Sequence, residues 1–381
     1  MFSFINNYLK ALISVVLCLF TLFPSIVQQG QEAKQADIAE QTERLASLES
    51  LYSSEDYVPV DESKVTGFYV NGAYQSGIRF NEVSFIATHN SYQKSSVPAY
   101  IELIENLSVV SFGAMNREKP YYNSDTLTEQ LNLGIRSIEL DVETIVKGGK
   151  VSFACCHSPI IDARSTCYDF ALALQEIKMW SVANKGHLPI TIIIEPKKIF
   201  IPEPGMKFFD FDSVKHLDTL VKDVFGDKLL TPADMIGNYD SFKDMRENDG
   251  WPLLEETAGH VMFLLHECSV TEKYISQDKS MRTQSMFPML RYKDIDRDCT
   301  SFVLMNYPDQ ADEKSAELNE KHIIYRTMVD DYGVKDDERE AYAFKCGAQI
   351  MSTDYPIKSD IENAKKVVSF DNGATVRINT K

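Results

Sequence analysis

The run Ser84-Phe85-Ile86-Ala87-Thr88-His89-Asn90-Ser91-Tyr92 starts as a strand suited to burial and stops on an imidazole and an amide. Seven more apolar runs follow it: residues 135–143 (IRSIELDVE), 151–157 (VSFACCH), 188–197 (LPITIIIEPK), 260–267 (HVMFLLHE), 302–308 (FVLMNYP), 322–328 (HIIYRTM) and 349–356 (QIMSTDYP). Most are rich in β-branched and aromatic residues, and near-continuous apolar runs point to strands buried on both faces. Amphipathic stretches lie between some of them, such as TCYDFALALQEIKMWSVAN, where Phe170, Leu174, Ile177 and Val182 recur at helical spacing. Eight such strands alternating with helices predict an α/β fold, a (β/α)8 TIM barrel, with a doubly wound open sheet as its competitor. The stretch from Lys198 to Gly259 is too long for a simple connection and predicts an insertion after the fourth strand, with a helix in MKFFDFDSVKHLDTLVKDVFGDKLL.

In such a barrel the active site lies at the carboxyl ends of the strands, so polar residues that end apolar runs are the candidates. They are His89 and Asn90, Glu139 and Asp141, His157, Glu195 with Lys197, His266 and Glu267, Asn306, Arg326 and Asp354. Glu139 and Asp141 are two apart, so strand alternation sets both carboxylates on one face, while Ile138 and Leu140 face the helix layer. Paired like charges there repel each other and lose hydration, and a cation between them relieves both costs. The oxygen donors Asn90, Glu139, Asp141 and Glu195 suit Ca2+ best and Mg2+ second. The plain alternative is a stabilising network in which Arg136, Arg164 or Lys197 neutralises the acids. His89 and His157 fit acid and base roles because imidazole titrates near neutrality. Either one alone would read as a satisfied structural histidine.

Composition bounds the partners. The 381 residues carry a formal net charge of −17, which opposes nucleic acid and anionic bilayers, so an anionic substrate must be captured by a local positive centre. Residues 1–28 carry one early positive charge, Lys10, an apolar run to Phe23 and then Pro24, the pattern of a signal peptide; a retained anchor is the alternative. Residues 29–65 read as an acidic polar leader, helical or disordered but solvated, and 66–381 as the barrel domain. Secretion predicts disulfides among Cys155, Cys156, Cys167, Cys268, Cys299 and Cys346; a zinc site from Cys155, Cys156, His157 and Cys167 is disfavoured because adjacent cysteines chelate poorly.

ATHNSY, LGIRSIELDVE, CCHSP and TIIIEPK, in that order, resemble the X-box of phosphatidylinositol-specific phospholipase C enzymes, in particular the secreted, calcium-dependent bacterial-type branch. The resemblance implies that His89 is the first catalytic histidine and His157 the second. It also implies that Asn90, Glu139, Asp141 and Glu195 bind calcium, and it sets Lys197 where a cation could hold phosphate. Arg326 and Asp354 join Lys197 as expected substrate-binding residues on their strand-end positions alone. The implied partner is a phosphoinositide or related phosphodiester, met by a monomer, with peripheral membrane contact if Phe208, Phe209 and Phe211 insert rather than pack. The rivals are a glycerophosphodiester phosphodiesterase or sphingomyelinase D on the same fold, and a secreted protein that binds inositol phosphates or glycans without turnover.

Overall fold

Nine strands concern the site, eight of the barrel and one that extends it: β1 Val83–Thr88, β2 Ser137–Lys147, β3 Lys150–Cys155, β4 Ile190–Pro196, β5 Val261–Leu265, β6 Met286–Arg291, β7 Phe302–Leu304, β8 Ile324–Met328 and β9 Ile350–Thr353; the short strands Met206–Lys207 and Val376–Ile378 add antiparallel to β2 and β1. The computed structural model describes residues 2–110, 118–198, 203–331, 336–360 and 366–379, and their side chains from residue 21 onward except 109–110. Parallel pairing runs β1–β2–β4–β5–β6–β7–β8–β9 and returns to β1, a closed eight-stranded (β/α)8 barrel. Every residue of β1 and β5 is buried, as a parallel strand between a packed interior and a helix layer requires.

The expected strand count holds, but its membership changes. VSFACC is not a barrel strand: β3 folds back antiparallel on the outer half of β2, from Lys147 opposite Lys150 to Val142 opposite Cys155. Gly148 and Gly149, with φ of 56° and 79°, make the tight turn that reverses the chain; positive φ at both central positions suits the right-handed twist of a hairpin. The missing barrel strand is β6, whose apolar run carries Pro288, a residue that ordinarily argues against a central strand. The long insertion therefore follows the third barrel strand, not the fourth.

Helices close the outer layer: α2 Pro98–Val110 and α3 Leu127–Asn132 between β1 and β2, α4 Phe170–Ala183 before β4, α6 Pro308–Glu320 and α7 Asp337–Cys346 later. Phe170, Leu174, Ile177 and Trp180 form the buried stripe of α4, while Val182, expected on it, is 47% exposed. The helix foreseen in the insertion is α5, Phe211–Phe225, capped by Asp210 and buried through Val214, Leu217, Val221 and Phe225.

The N-terminal segment departs most from expectation. Residues Phe2–Tyr52 form one helix, α1, whose second half is docked rather than solvated. Ile26, Asp37 and Gln41 are buried, and the Gln41 amide exchanges hydrogen bonds of 2.9 Å with both the backbone N–H and the carbonyl of Asp169. Polar composition hid this because the docking groups are themselves polar and partnered. Of the expected signal segment, the side chains up to residue 20 lie outside the described residues, and among the described residues no helix is long and apolar enough to cross a membrane. The expected disulfides are not formed: the six cysteines with described side chains, Cys155 to Cys346, are free thiols, with the sulfurs of Cys155 and Cys167 3.9 Å apart. Cys268 and Cys299 lie in connections between elements and Cys346 ends the helix Asp337–Cys346, so their even number does not translate into pairs.

Candidate active site

The acidic centre follows from strand parity. Glu139 and Asp141 face the same way on β2, Asp141 lies in register with Glu195 at the end of β4, and the three carboxylates bring ligand atoms within 4.8 Å of one another. Ser91, just after β1, anchors that strand's exit: its N–H donates to the Glu139 carbonyl at 3.0 Å, and its hydroxyl accepts the Glu139 N–H at 2.8 Å. The chain turns into this position through Asn90 at φ 46°, a left-handed conformation that Asn tolerates better than most residues.

Two cations meet the acids. Lys197 Nζ lies 2.8 Å from Asp141 Oδ2 and 3.1 Å from Glu195 Oε1, and buried Arg326 of β8 holds Glu139 Oε2 at 2.7 Å. Arg326 also bonds Asn306, and Ser352 Oγ at 3.1 Å. Arg326, expected to meet substrate, is thus committed to the acidic centre. Of the three cations considered as structural partners, Lys197 alone reaches the cluster; Arg136 pairs with Glu62, and Arg164 with Asp37. Neutralisation is incomplete. Asp141 Oδ2 also accepts the Tyr92 hydroxyl at 2.6 Å, but Asp141 Oδ1 is buried without a hydrogen-bond partner. Burial and the charges of Glu195 and Glu139 raise the Asp141 pKa against the pull of Lys197. Burial also disfavours ionised Glu195, yet Lys197 and His266 hold it at about 2.

The two histidines are each oriented by a carboxylate. His89 Nδ1 lies 2.7 Å from Asp354 Oδ1, so the Nδ1–H donates there and Nε2 points toward Glu139 Oε1 at 3.8 Å. Asp354, expected to bind substrate, is therefore the partner of the imidazole. Behind it Asp330 accepts the Asp354 N–H at 2.8 Å and bonds the Thr353 hydroxyl. Burial works against a charged His89, but Glu139 and Asp354 outweigh it and raise the pKa. His157 reaches the barrel mouth from the β3 hairpin. Its Nδ1 lies 3.3 Å from Asp162 Oδ2, and Asp162 accepts from Gln93 Nε2 and Ser96 Oγ, both at 2.9 Å. Burial opposes ionisation of Asp162, but His157, Ser96 and Gln93 together lower its pKa.

Asp162 and Asp330 did not emerge from the sequence. A carboxylate five residues after a histidine in a turn was the available signal for Asp162; nothing marked Asp330, which sits beyond its strand and acts through a neighbour. His266 and Glu267 do not join the histidine pairs: His266 Nδ1 donates to the Glu267 carbonyl at 3.2 Å, and Glu267 pairs with Arg291.

The arrangement combines two imidazole–carboxylate pairs with a buried cluster of oxygen donors. The orphaned Asp141 oxygen and the hard donor set fit a divalent cation held by Glu139, Asp141 and Glu195, and the side-chain oxygen of Asn90 shares the Tyr92 hydroxyl with Asp141, at 3.3 Å from it. A family described as phosphoinositide phospholipase C, Ca2+-dependent, matches residues 78–157 and 150–380. A PI-PLC X domain-containing protein of Arabidopsis thaliana is 24% identical over 204 residues, 52% of this chain and 38% of that protein, so the chain spans well under half of that relative. Among solved structures, a calcium-dependent phosphoinositol-specific phospholipase C from a Gram-negative Pseudomonas is similar with a TM-score of 0.53 at 18% identity, covering 79% of this chain and 96% of that one. A Ca2+-dependent phosphatidylinositol-specific phospholipase C from Streptomyces antibioticus gives 0.51 at 17% identity, covering 73% and 95%. At these identities the structures speak for the fold.

Proposed function

Because the chain belongs to the Ca2+-dependent phosphoinositide phospholipase C family, we propose that it cleaves phosphatidylinositol-type lipids to diacylglycerol and a cyclic inositol phosphate. At the coarser level it is a phospholipase C-like phosphodiesterase. The observation that carries the finer reading is the pairing of His89 with Asp354 and His157 with Asp162 around one acidic cluster.

In this reading Asp354 fixes the proton of His89 on Nδ1 and leaves Nε2 to take the proton of the inositol 2-hydroxyl. The hydroxyl oxygen forms the new bond to phosphorus as the bond to the diacylglycerol oxygen breaks, and His157, oriented by Asp162, gives that oxygen its proton. Attack by the substrate's own hydroxyl needs no protein nucleophile. Lys197 contributes positive charge beside the phosphate. Calcium at Asn90, Glu139, Asp141 and Glu195 would supply Lewis-acid polarisation of the hydroxyl and neutralise phosphate charge; magnesium is the second choice because it tolerates fewer protein oxygens.

Phe208, 69% exposed, supports peripheral contact with the lipid surface, whereas Phe209 is buried. Secretion is part of the proposal, resting on the apolar stretch before Pro24, and N-terminal sequencing of the mature protein tests it. A second reading has one observation in its favour: Lys197 and Arg326 already pair with the acids, so the cluster could be structural and the reaction metal-independent.

The test is hydrolysis of phosphatidylinositol micelles with calcium and with excess chelator, following soluble products by phosphorus NMR. A cyclic phosphate that appears only with calcium is expected. Turnover indifferent to chelator would favour the second reading, a non-cyclic product would point to a glycerophosphodiesterase-type reaction, and no turnover by folded protein would overturn the assignment.

A further inference from the structure

We infer that the stretch of α1 from Gly30 to Arg44 is part of the machinery that sets the geometry of His157, and that Asp37 is a positioning residue acting through the loop that carries His157 and Asp162. This inference rests on the proposed role of His157 as the general acid.

The contacts fall on one face of the helix at helical spacing. Gly30 passes so close to the loop that a Cβ would stand 3.2 Å from the Ile160 carbonyl oxygen. Glycine inside a helix is destabilising, so its presence at this contact is explained by the close approach. Ile38 packs against the cluster of Ala154, Cys156 and Tyr168, immediately before His157 and after the loop. Further along, Arg44 donates to the Thr166 carbonyl at 2.6 Å and to Glu176 at 2.9 Å.

Asp37 is the centre of the contact. Its side chain is fully buried, and it accepts from Arg164 Nε at 2.8 Å, Arg164 Nη2 at 2.9 Å, the Ser165 N–H at 3.2 Å and Lys94 Nζ at 2.8 Å. These donors come from the two segments that hold the carboxylate behind His157. Arg164 and Ser165 lie two and three residues after Asp162, and Lys94 follows Gln93, whose amide bonds Asp162 and whose backbone pairs with Ser165. A buried ion pair is a poor source of net stability but a strict geometric constraint. Here the constraint ties the segments at residues 93–96 and 162–165 to each other and to the helix. Positioning of a proton donor is sensitive to displacements too small to unfold anything.

The discriminating experiment uses the full chain and two substrates with different leaving groups. Phosphatidylinositol expels a poor alkoxide and needs the general acid. A 4-nitrophenyl ester of inositol phosphate expels a good leaving group and does not. General acid catalysis contributes roughly 10²- to 10⁴-fold, so Asp37→Ala is expected to lower kcat on phosphatidylinositol roughly 10- to 100-fold, with KM little changed and the aryl substrate nearly unaffected. In a His157→Ala background Asp37→Ala should cost nothing further, because both changes remove the same contribution. Equal losses on both substrates, or additive losses in the double variant, would make α1 a mere structural support and overturn the inference. Gly30→Val, which pushes on Ile160 without removing a charge, must show the same leaving-group selectivity and serves if Asp37→Ala does not fold. Wild-type protein inactive on both substrates would defeat the functional reading itself. The geometric claim then stands or falls on whether Asp37→Asn moves the His157 ring resonances while leaving those of His216 in place.

Discussion

Replacing Lys197 with methionine separates a metal centre from a salt-bridge network. Lys197 is 18% exposed and touches both Asp141, which is wholly buried, and Glu195, whose side chain is 27% exposed. Removing one partner of a buried pair costs about 3–5 kcal/mol. The lower end applies here, because Glu195 can rehydrate and Asp141 keeps the Tyr92 hydroxyl at 2.6 Å. In chelator, Lys197→Met should therefore lose about 3 kcal/mol in urea unfolding. A divalent cation among the same carboxylates replaces the lost charge; a ligand at 100 times its Kd stabilises the folded state by about 2.7 kcal/mol. With saturating calcium the penalty should fall below about 1 kcal/mol. The difference of about 2 kcal/mol is equivalent to roughly 30-fold tighter calcium binding by the variant, which calorimetry can measure independently. An identical penalty with calcium and with chelator would rule out a metal centre and leave the acids as partners of Lys197 and Arg326 alone.

Three further outcomes follow from the geometry. His187 is buried and neutral, donating from Nδ1 to the Leu188 carbonyl at 2.6 Å and accepting the Ser181 hydroxyl at Nε2 at 2.7 Å, and burial depresses its pKa from 6.5 to about 3. The unfolded chain binds this proton first, so stability is intact above pH 6.5 and falls with pH between there and about 3; from pH 7 to pH 5 the loss is about 2 kcal/mol. His187→Gln should flatten that slope in pH-dependent urea unfolding, and an unchanged slope would show that His187 is not its source. Asp354→Asn should lower kcat roughly 10²- to 10⁴-fold by releasing the His89 tautomer while leaving urea stability nearly intact; full activity would remove Asp354 from the mechanism. Burial raises the thiol pKa of Cys155 and Cys156, and Cys268 is only partly buried. Native labelling should therefore modify Cys268 first and reach the other two only on unfolding, and early labelling of Cys155 would contradict their placement.

Local pattern was enough where chemistry and periodicity coincide. His89-Asn90 at the end of a buried run, the two-residue spacing of Glu139 and Asp141, and Glu195 at the end of ITIIIE each announce a strand terminus at a barrel mouth, because parity and burial are properties of a few consecutive residues. The eightfold count was legible for the same reason, although VSFACC stood in for MFPMLR: an apolar run does not record the direction of its partner, and Gly148-Gly149 was the unread sign of a hairpin. Tertiary structure alone decided the partnerships that span the chain. Arg326 reaches Glu139 across 187 positions, Asp354 reaches His89 across 265, and Asp37 reaches Arg164 across 127. Each joins residues whose neighbours in sequence say nothing of the other, and only closure of the barrel and docking of α1 bring them within hydrogen-bond reach. The same long-range packing turns a stretch that reads as a solvated leader into a docked helix with Asp37 and Gln41 buried, since burial of a polar residue depends on partners that composition cannot supply.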